Sequence, residues 1–295
     1  MSASAPLVIF VHMPKTAGSS VRQIIEQNIS KTNRQFCFPG HIDEYNRVRN
    51  LPLEELPQVE CLHGHHPWGM HQCYKNRSYK YFTFLREPVS RFLSEYSFAL
   101  SDESGFAKSV QAKQTSLRRF IENPIAVLDN PYIRWVAGFH PREEISLTQK
   151  ELCDLAKQRL VTDFNAFGLT EFFDQSLLLI NKAIGWKPPL YQTRNVSGEK
   201  DDLAEMLPQD LKNRLLEYLR WDLELYEFAL AEFKNRIADQ PLSFWAALKE
   251  LRKRNSEIAA LTKETAGKTY VIGRDPLPFD PDKFDCKRIE AYFKA

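Results

Sequence analysis

A lysine, a glycine and several hydroxyl side chains follow one another closely near the start of this 295-residue chain. An unbroken apolar segment, residues 7–11, leads through His-Met-Pro into a short polar loop, after which a helical pattern begins. The first N–H groups of a helix have no intrahelical partner and carry partial positive charge. Beside a lysine ammonium and hydroxyls, they form a site for a phosphate or another anion. The sequence therefore predicts an anion site formed by Lys15, Thr16, Ala17, Gly18, Ser19 and Ser20.

This loop differs from the phosphate loop of P-loop NTPases. In that motif the lysine directly follows the second glycine, whereas Lys15 precedes Gly18 by three residues. A nucleotide kinase or NTPase also needs a strand that ends in a magnesium-binding aspartate. The apolar segment at residues 80–85 is followed by Arg86 instead. A kinase or NTPase, and a non-catalytic nucleotide-binding protein on the same fold, remain the alternatives to a transferase.

A second strand–loop–helix pattern follows at residues 80–100. Arg86 comes directly after the apolar strand segment, and Pro88 suits the first turn of a helix. The planar guanidinium of an arginine binds phosphate oxygens two at a time. Ser94 lies eight residues after Arg86 and returns to about the same side of the helix. Two such units predict an α/β fold, a parallel sheet flanked by helices, with ligand loops at the carboxyl ends of the strands.

Four of the seven histidines fall between these two units, at positions 63, 65, 66 and 71. An enzyme that activates an alcohol needs a base that works near neutral pH, and histidine is suited to that role. With Cys73 these side chains would also suit zinc, and packed histidines without a function are a third interpretation. The spacing matches no common zinc motif, which disfavours a metal site and leaves the other two interpretations open.

The composition places the chain among ordinary globular proteins. Hydrophobic residues make up 43% of the chain and the formal net charge is +2, so no bulk attraction to nucleic acid is expected. Five scattered cysteines without a CxxC pair indicate reduced thiols. Because no signal-peptide pattern and no apolar run of roughly 20 residues is present, we expect a cytoplasmic protein without a membrane span.

The two units together resemble the sulfotransferases that use 3′-phosphoadenosine 5′-phosphosulfate (PAPS). The Lys-Thr-Ala-Gly-Ser-Ser loop is similar to their 5′-phosphosulfate loop, and Arg86 and Ser94 match the residues that hold the 3′-phosphate. The His-Gly-His stretch resembles that of heparan sulfate and dermatan or chondroitin 2-O-sulfotransferases. This resemblance implies that His65 is the catalytic base and that His63 supports it, with Lys15 at the leaving phosphate.

The same resemblance extends to about residue 233 and implies a P-loop-NTPase-like sulfotransferase fold. It implies PAPS as co-substrate without a metal, and the hydroxyl of a saccharide or glycolipid as acceptor. By the same resemblance, Asn195 and Ser197 fall where the family has a loop that closes over the 3′-phosphate. The acceptor side would be formed by His66, Trp68, Tyr132 and Arg134. We expect a catalytic domain at residues 1–236 and a C-terminal extension at 237–295, packed on the same domain.

The periodicity of apolar residues predicts the remaining helices and strands. Residues 31–60 are polar and predicted irregular, whereas 117–128 and 149–160 are predicted helical. A strand is expected at 165–169, and a helical segment at 203–236 that contains a helix start signal at Pro208. The extension is expected to contain a helix at 244–261.

Overall fold

A single parallel sheet organises the protein. The computed structural model describes residues 5–37, 42–75, 77–101, 116–122, 129–187, 191 and 207–265. The strands are β1 (Leu7–Val11), β2 (Arg34–Cys37), β3 (Cys61–Gly64), β4 (Tyr79–Leu85) and β5 (Ala166–Leu169). They pair in the order β2-β3-β1-β4-β5, and each pairing is parallel. The predicted α/β class with a parallel sheet is confirmed.

Helices follow the strands and cover the sheet. In chain order the described helices are α1 (Gly18–Asn28), α2 (Ile42–Arg49), α3 (Pro88–Ser101), α4 (Leu117–Glu122), α5 (Pro131–Val136), α6 (Gln149–Thr162), α7 (Phe173–Ile184), α8 (Gln209–Tyr218), α9 (Arg220–Ala238) and α10 (Leu242–Thr265).

Alternate residues of the central strand β1 enter two different cores. Leu7, Ile9 and Val11 pack in a cluster that includes residues of α5, α6 and α9. Val8 and Phe10 pack instead with residues of α1 and α7. Because successive side chains of a strand point to opposite faces, the sheet is buried on both sides. This explains why β1 is an unbroken apolar run rather than an alternating one.

One expectation about local structure is wrong. Residues 31–60 contain β2 and α2 as well as two single turns of 3₁₀ helix, where an irregular segment was predicted. The segment expected to be helical at 203–236 is described from residue 207, and it contains α8, which starts after Pro208, and α9, which meets α8 at Leu219. The helix predicted at 149–160 is confirmed as α6, which starts with a Thr148–Glu151 capping box.

The chain divides into two units, residues 1–256 and 257–295. Within the first unit, Phe244, Leu248 and Leu251 of α10 pack against Leu178 of α7. The second unit is described only at 257–265, where α10 ends. The division into a catalytic domain and an extension at residue 236 stays a prediction. Among the described helices, none combines the length and apolarity needed to cross a membrane.

Candidate functional site

Three neighbouring strands end beside one another at the carboxyl edge of the sheet. Val11 at the end of β1 pairs with Gly64 of β3 on one side and with Thr83 of β4 on the other. His65 therefore follows the strand on one side of the Lys15 loop, and Arg86 follows the strand on the other. The topology brings the predicted base, anion loop and phosphate-binding arginine to one edge, the usual place for ligands in α/β sheets.

The loop between β1 and α1 holds an unusual backbone conformation. Lys15 and Ala17 both have positive φ angles, 64° and 60°, which non-glycine residues rarely adopt. Thr16 is fully buried between them, and its hydroxyl donates a 2.8 Å hydrogen bond to the Met13 carbonyl. Strain of this kind persists only where the surroundings enforce it and is often found at ligand sites.

The N-terminus of α1 has no side-chain cap. Ala17 is the N-cap residue and offers no side-chain acceptor. In the described part of the chain, the N–H groups of Thr16, Ala17, Gly18 and Ser19 donate to no oxygen. The Ser19 side chain is exposed and that of Ser20 is buried. These open amides make the start of α1 ready to bind an anion.

The neighbouring helix α3 is different, because Glu87 caps it. The two carboxylate oxygens of Glu87 accept from the N–H groups of Val89 and Ser90, at 3.0 and 2.7 Å. A negatively charged side chain thus occupies the place where an anion would bind. Of these two helix starts, only that of α1 is open to an anion.

Lys15 reaches from the loop to α3. Its ammonium lies 4.1 Å from the centroid of the Phe98 ring, a cation–π contact. Burial raises the pKa of Glu95 on the same helix, and the charges of Arg91 and Lys15 oppose that shift. The lysine therefore lies against an aromatic ring of α3, and its charge acts on a buried carboxyl group of the same helix.

Arg86 is positioned by Tyr132. The Tyr132 hydroxyl accepts from the Arg86 N–H at 3.0 Å and donates to the Arg86 carbonyl at 2.9 Å. The Arg86 side chain is half-buried, and Ser94 lies buried on α3. Tyr132 was predicted to contact the acceptor, but its ring is fully buried and cannot stack on a sugar. Its place in the structure is that of a residue that orients Arg86.

Behind this tyrosine lies a second, buried arginine. The Arg91 guanidinium is 5.3 Å from the centroid of the Tyr132 ring, and its side chain is almost fully buried. Its Nε and Nη2 atoms find no hydrogen-bond partner in the described part of the chain. One buried cation therefore lies against the Tyr132 ring, and the hydroxyl of the same ring holds the backbone of Arg86.

Two helices cap each other next to Tyr132. The Asn130 amide oxygen accepts from the N–H groups of Trp221 and Asp222 at the start of α9. The Asp222 carboxylate accepts in return from the N–H groups of Tyr132 and Ile133 at the start of α5. This reciprocal capping fixes α5 on α9. Asn130 thus has a structural role, which the motif around Arg134 did not reveal.

The histidine pair at the end of β3 is separated by a glycine for steric reasons. Gly64 has a φ of 146°, and a Cβ atom there would lie 1.7 Å from the Cys37 carbonyl oxygen. The His65 N–H donates to that same carbonyl at 3.0 Å. The side chain of His63 is buried against Phe36 of β2, with ring centroids 5.2 Å apart. Only glycine fits between the two histidines at this close approach of strands.

His65 has a defined tautomer. Its Nδ1 lies 2.9 Å from the His12 carbonyl oxygen. A carbonyl can only accept, so Nδ1 carries the proton and Nε2 bears the basic lone pair. Burial lowers the pKa of His65, and its hydrogen bond to His12 partly offsets the shift. The imidazole is therefore neutral at pH 7, the state that a general base requires.

The other residues predicted on the acceptor side lie in different surroundings. His66 is fully buried, with Nδ1 3.1 Å from the Pro67 carbonyl, so it has no surface to offer an acceptor. Trp68 is half-buried, and the Arg159 guanidinium lies 3.9 Å from its ring centroid. Arg134 is half-buried and donates to the Glu143 carbonyl.

Asn195 and Ser197 lie outside the described residues, so their predicted contact with the 3′-phosphate stays a prediction. Within the described ranges, no three His, Cys, Asp or Glu side chains are arranged to hold a metal ion. Of the described cysteines, those at positions 61, 73 and 153 are free thiols. Sequence reasoning missed His12, although it directly precedes the loop motif.

Comparisons with known proteins complete the description. No curated protein matches the sequence of this chain. A crystal structure of mouse sulfotransferase SULT7A1 complexed with PAP is 13% identical, with a TM-score of 0.34, over 68% of this chain and 63% of that one. The chain thus spans less than two thirds of the mouse protein's length. A sulfotransferase from Alicyclobacillus acidocaldarius is 14% identical, with a TM-score of 0.32, over 76% of this chain and 100% of that one. The sequence matches the sulfotransferase family over residues 3–229, well over half of its length, and the chain therefore belongs to that family.

Proposed function

We propose that this protein transfers a sulfuryl group from PAPS to a hydroxyl of a carbohydrate acceptor, with His65 as the base. One observation carries the proposal. The uncapped start of α1, with Lys15 beside it, follows the strand that lies between the strands bearing His65 and Arg86. An anion site flanked by a base and a phosphate-binding arginine is what sulfuryl transfer from a doubly phosphorylated donor needs.

The residues present fit such a donor. Four open N–H groups and Lys15 suit the 5′-phosphosulfate. Arg86 and Ser94, at the end of β4 and on α3, suit a 3′-phosphate, and the loop containing Asn195 and Ser197 would close over it. When bound, PAPS supplies an activated sulfuryl group.

Different groups of the protein then assist different parts of the transfer. Nε2 of His65 takes the proton of the acceptor hydroxyl as its oxygen forms a bond to sulfur. The bond between sulfur and the phosphate oxygen breaks in line with it, and negative charge grows on that oxygen. Lys15 and the α1 amides stabilise this charge more than they stabilise the ground state. His63 packs against the Phe36 ring, which also lies near His65, and it stays neutral, since burial lowers its pKa to about 4.

A saccharide acceptor is supported by an exposed aromatic ring beside the base. Phe36 of β2 is 40% exposed, and its ring centroid lies 6.3 Å from that of His65. Arg22 of α1 lies 5.7 Å from the same ring. β2 is the strand beyond His65, on the side away from Arg86. An aromatic face there can pack against the apolar face of a sugar ring.

The test is transfer of radiolabelled sulfuryl from PAPS to a panel of mono- and oligosaccharides, with phenols as the non-carbohydrate arm. The H65Q variant should lose turnover and keep donor binding. H71Q is the matched control, because His71 lies near Tyr79, the first residue of β4, at the amino ends of the strands. His65 lies at their carboxyl ends. Full turnover by H65Q would refute the assignment of the base. Transfer to phenols alone would refute the carbohydrate acceptor, and phosphoryl transfer from ATP in place of sulfuryl transfer would favour a kinase.

A further inference from the structure

His12 lies between the proposed base and the anion loop, and the mechanism above gives its side chain no role. It is the first residue after β1. Its ring is stacked on that of His65, with centroids 4.4 Å apart and planes inclined by 28°. It is also stacked with Phe10, at 5.3 Å and 16°. Phe10, His12 and His65 therefore form a row of stacked rings, which begins with the buried Phe10 of β1 and leads to the proposed base.

The other side of the His12 ring touches the loop. A Cβ atom built on Gly18 would lie 1.7 Å from His12 Nε2 and 2.0 Å from Cε1. Gly18 does not have a left-handed backbone, so it is needed for space and not for conformation. The His12 ring fills that space against the first residue of α1. One side chain thus contacts both the base and the helix terminus that binds the anion.

We infer that His12 is a positioning residue, whose ring sets the orientation of His65 relative to the Lys15 loop. Its carbonyl fixes which nitrogen of His65 carries the proton, and its ring fixes the plane of the imidazole. In-line transfer needs a fixed distance and orientation between the basic nitrogen and the anion site. A displacement of about 1 Å can lower the rate about 100-fold. This inference rests on the proposed function.

The surrounding charges are consistent with this role. Burial lowers the pKa of His12 well below its usual value, and the neighbouring His65, His63, His66 and Lys15 lower it further. The His12 ring is therefore neutral when His65 takes up a proton. A neutral ring can remain stacked on the imidazolium that forms, whereas a charged one would repel it.

The test compares H12L, which removes the stacking ring, with H12F, which retains a flat ring. F10L is the matched control, because it removes the other ring stacked on His12 and leaves the His65 contact in place. Three quantities are measured for each: affinity for 3′-phosphoadenosine 5′-phosphate (PAP), kcat and KM for the acceptor, and the pKa of His65 by NMR of 13C-labelled histidine. The NMR signal is assigned from the spectrum of H65Q.

For H12L we expect PAP affinity within about threefold of wild type and a kcat lower by about 10- to 100-fold. The pKa of His65 should rise towards its usual value, because the ring that shields it from water is gone. H12F should recover most of the kcat. If H12L and F10L change stability alike and neither moves the kcat or the His65 pKa, His12 is a packing residue and the inference is wrong. If the wild type binds PAP but transfers no sulfuryl group, the proposed function fails, while the NMR comparison still decides whether His12 sets the state of His65.

Discussion

Replacing Tyr132 by phenylalanine tests how the structure orients Arg86, the proposed phosphate-binding arginine. The substitution removes one oxygen and keeps the ring that packs under Arg91. That oxygen makes two hydrogen bonds to the Arg86 peptide, one to its N–H and one to its carbonyl. In Y132F both groups of the Arg86 backbone lose their partner in a part-buried place.

The size of the effect follows from these two bonds. Leaving a buried polar group unpaired costs about 1–3 kcal/mol, so we expect Y132F to be less stable by about 2 kcal/mol. In a domain of this size that corresponds to a Tm lower by about 4–8 °C. Without these bonds the Arg86 backbone is held less firmly, so the position of its guanidinium is less well fixed. A loss of about 1.4 kcal/mol in the phosphate contact would weaken PAP binding about tenfold.

The assay is thermal unfolding together with calorimetric titration with PAP. Y45F is the matched control: Tyr45 is also almost fully buried, but it packs with Arg49 and His140 instead of bonding the Arg86 peptide. Y45F should keep PAP affinity. A Y132F variant that is destabilised but binds PAP as tightly as wild type would refute the argument that the tyrosine positions Arg86.

Three further predictions concern other parts of the site. N130A should lower the free energy of unfolding by about 1–2 kcal/mol, because α9 loses its cap, while the acceptor KM stays unchanged; a higher KM with normal stability would instead indicate contact with the acceptor. His63 and His66 have folded-state pKa values of about 4 because both are buried, so the unfolded chain takes up protons first as pH falls. Stability should therefore decrease from about pH 6.5 towards pH 4, by roughly 1.4 kcal/mol per pH unit for each histidine. H66Q should have a shallower dependence in thermal unfolding, and an identical slope would contradict the assignment. R86K should bind PAP more weakly in a titration, since an ammonium lacks the planar fork; equal affinity would show that Arg86 does not hold a phosphate.

The strands and helices that carry the site could be predicted where an apolar run is followed by a polar loop. Strand β1 is buried on both faces and reads as a continuous apolar run, and the polar loop after it marks the start of α1. Strand β4 and α3 repeat that pattern. The edge strand β2 was missed because its four residues, Arg-Gln-Phe-Cys, are half-buried or exposed and show no apolar run.

The site was predictable in its chemistry and less so in its geometry. Local motifs indicated Lys15, His65 and Arg86, since His65 and Arg86 directly follow strands and Lys15 lies in the polar loop after β1. Tyr132 and His66, expected on the acceptor side, lie fully buried. Burial of an aromatic or histidine side chain depends on long-range packing, here of α5 on α9, and a local motif does not encode it. The stacking of His12 on His65 likewise joins residues 53 positions apart.

The most direct test of the account is calorimetric titration of the purified protein with PAP, the spent donor, with ATP and ADP plus magnesium as controls. The account predicts binding of PAP without magnesium, and clear weakening of that binding in R86A. Binding of ATP with magnesium, and none of PAP, would contradict the central claim that this site takes a 3′-phosphorylated sulfuryl donor.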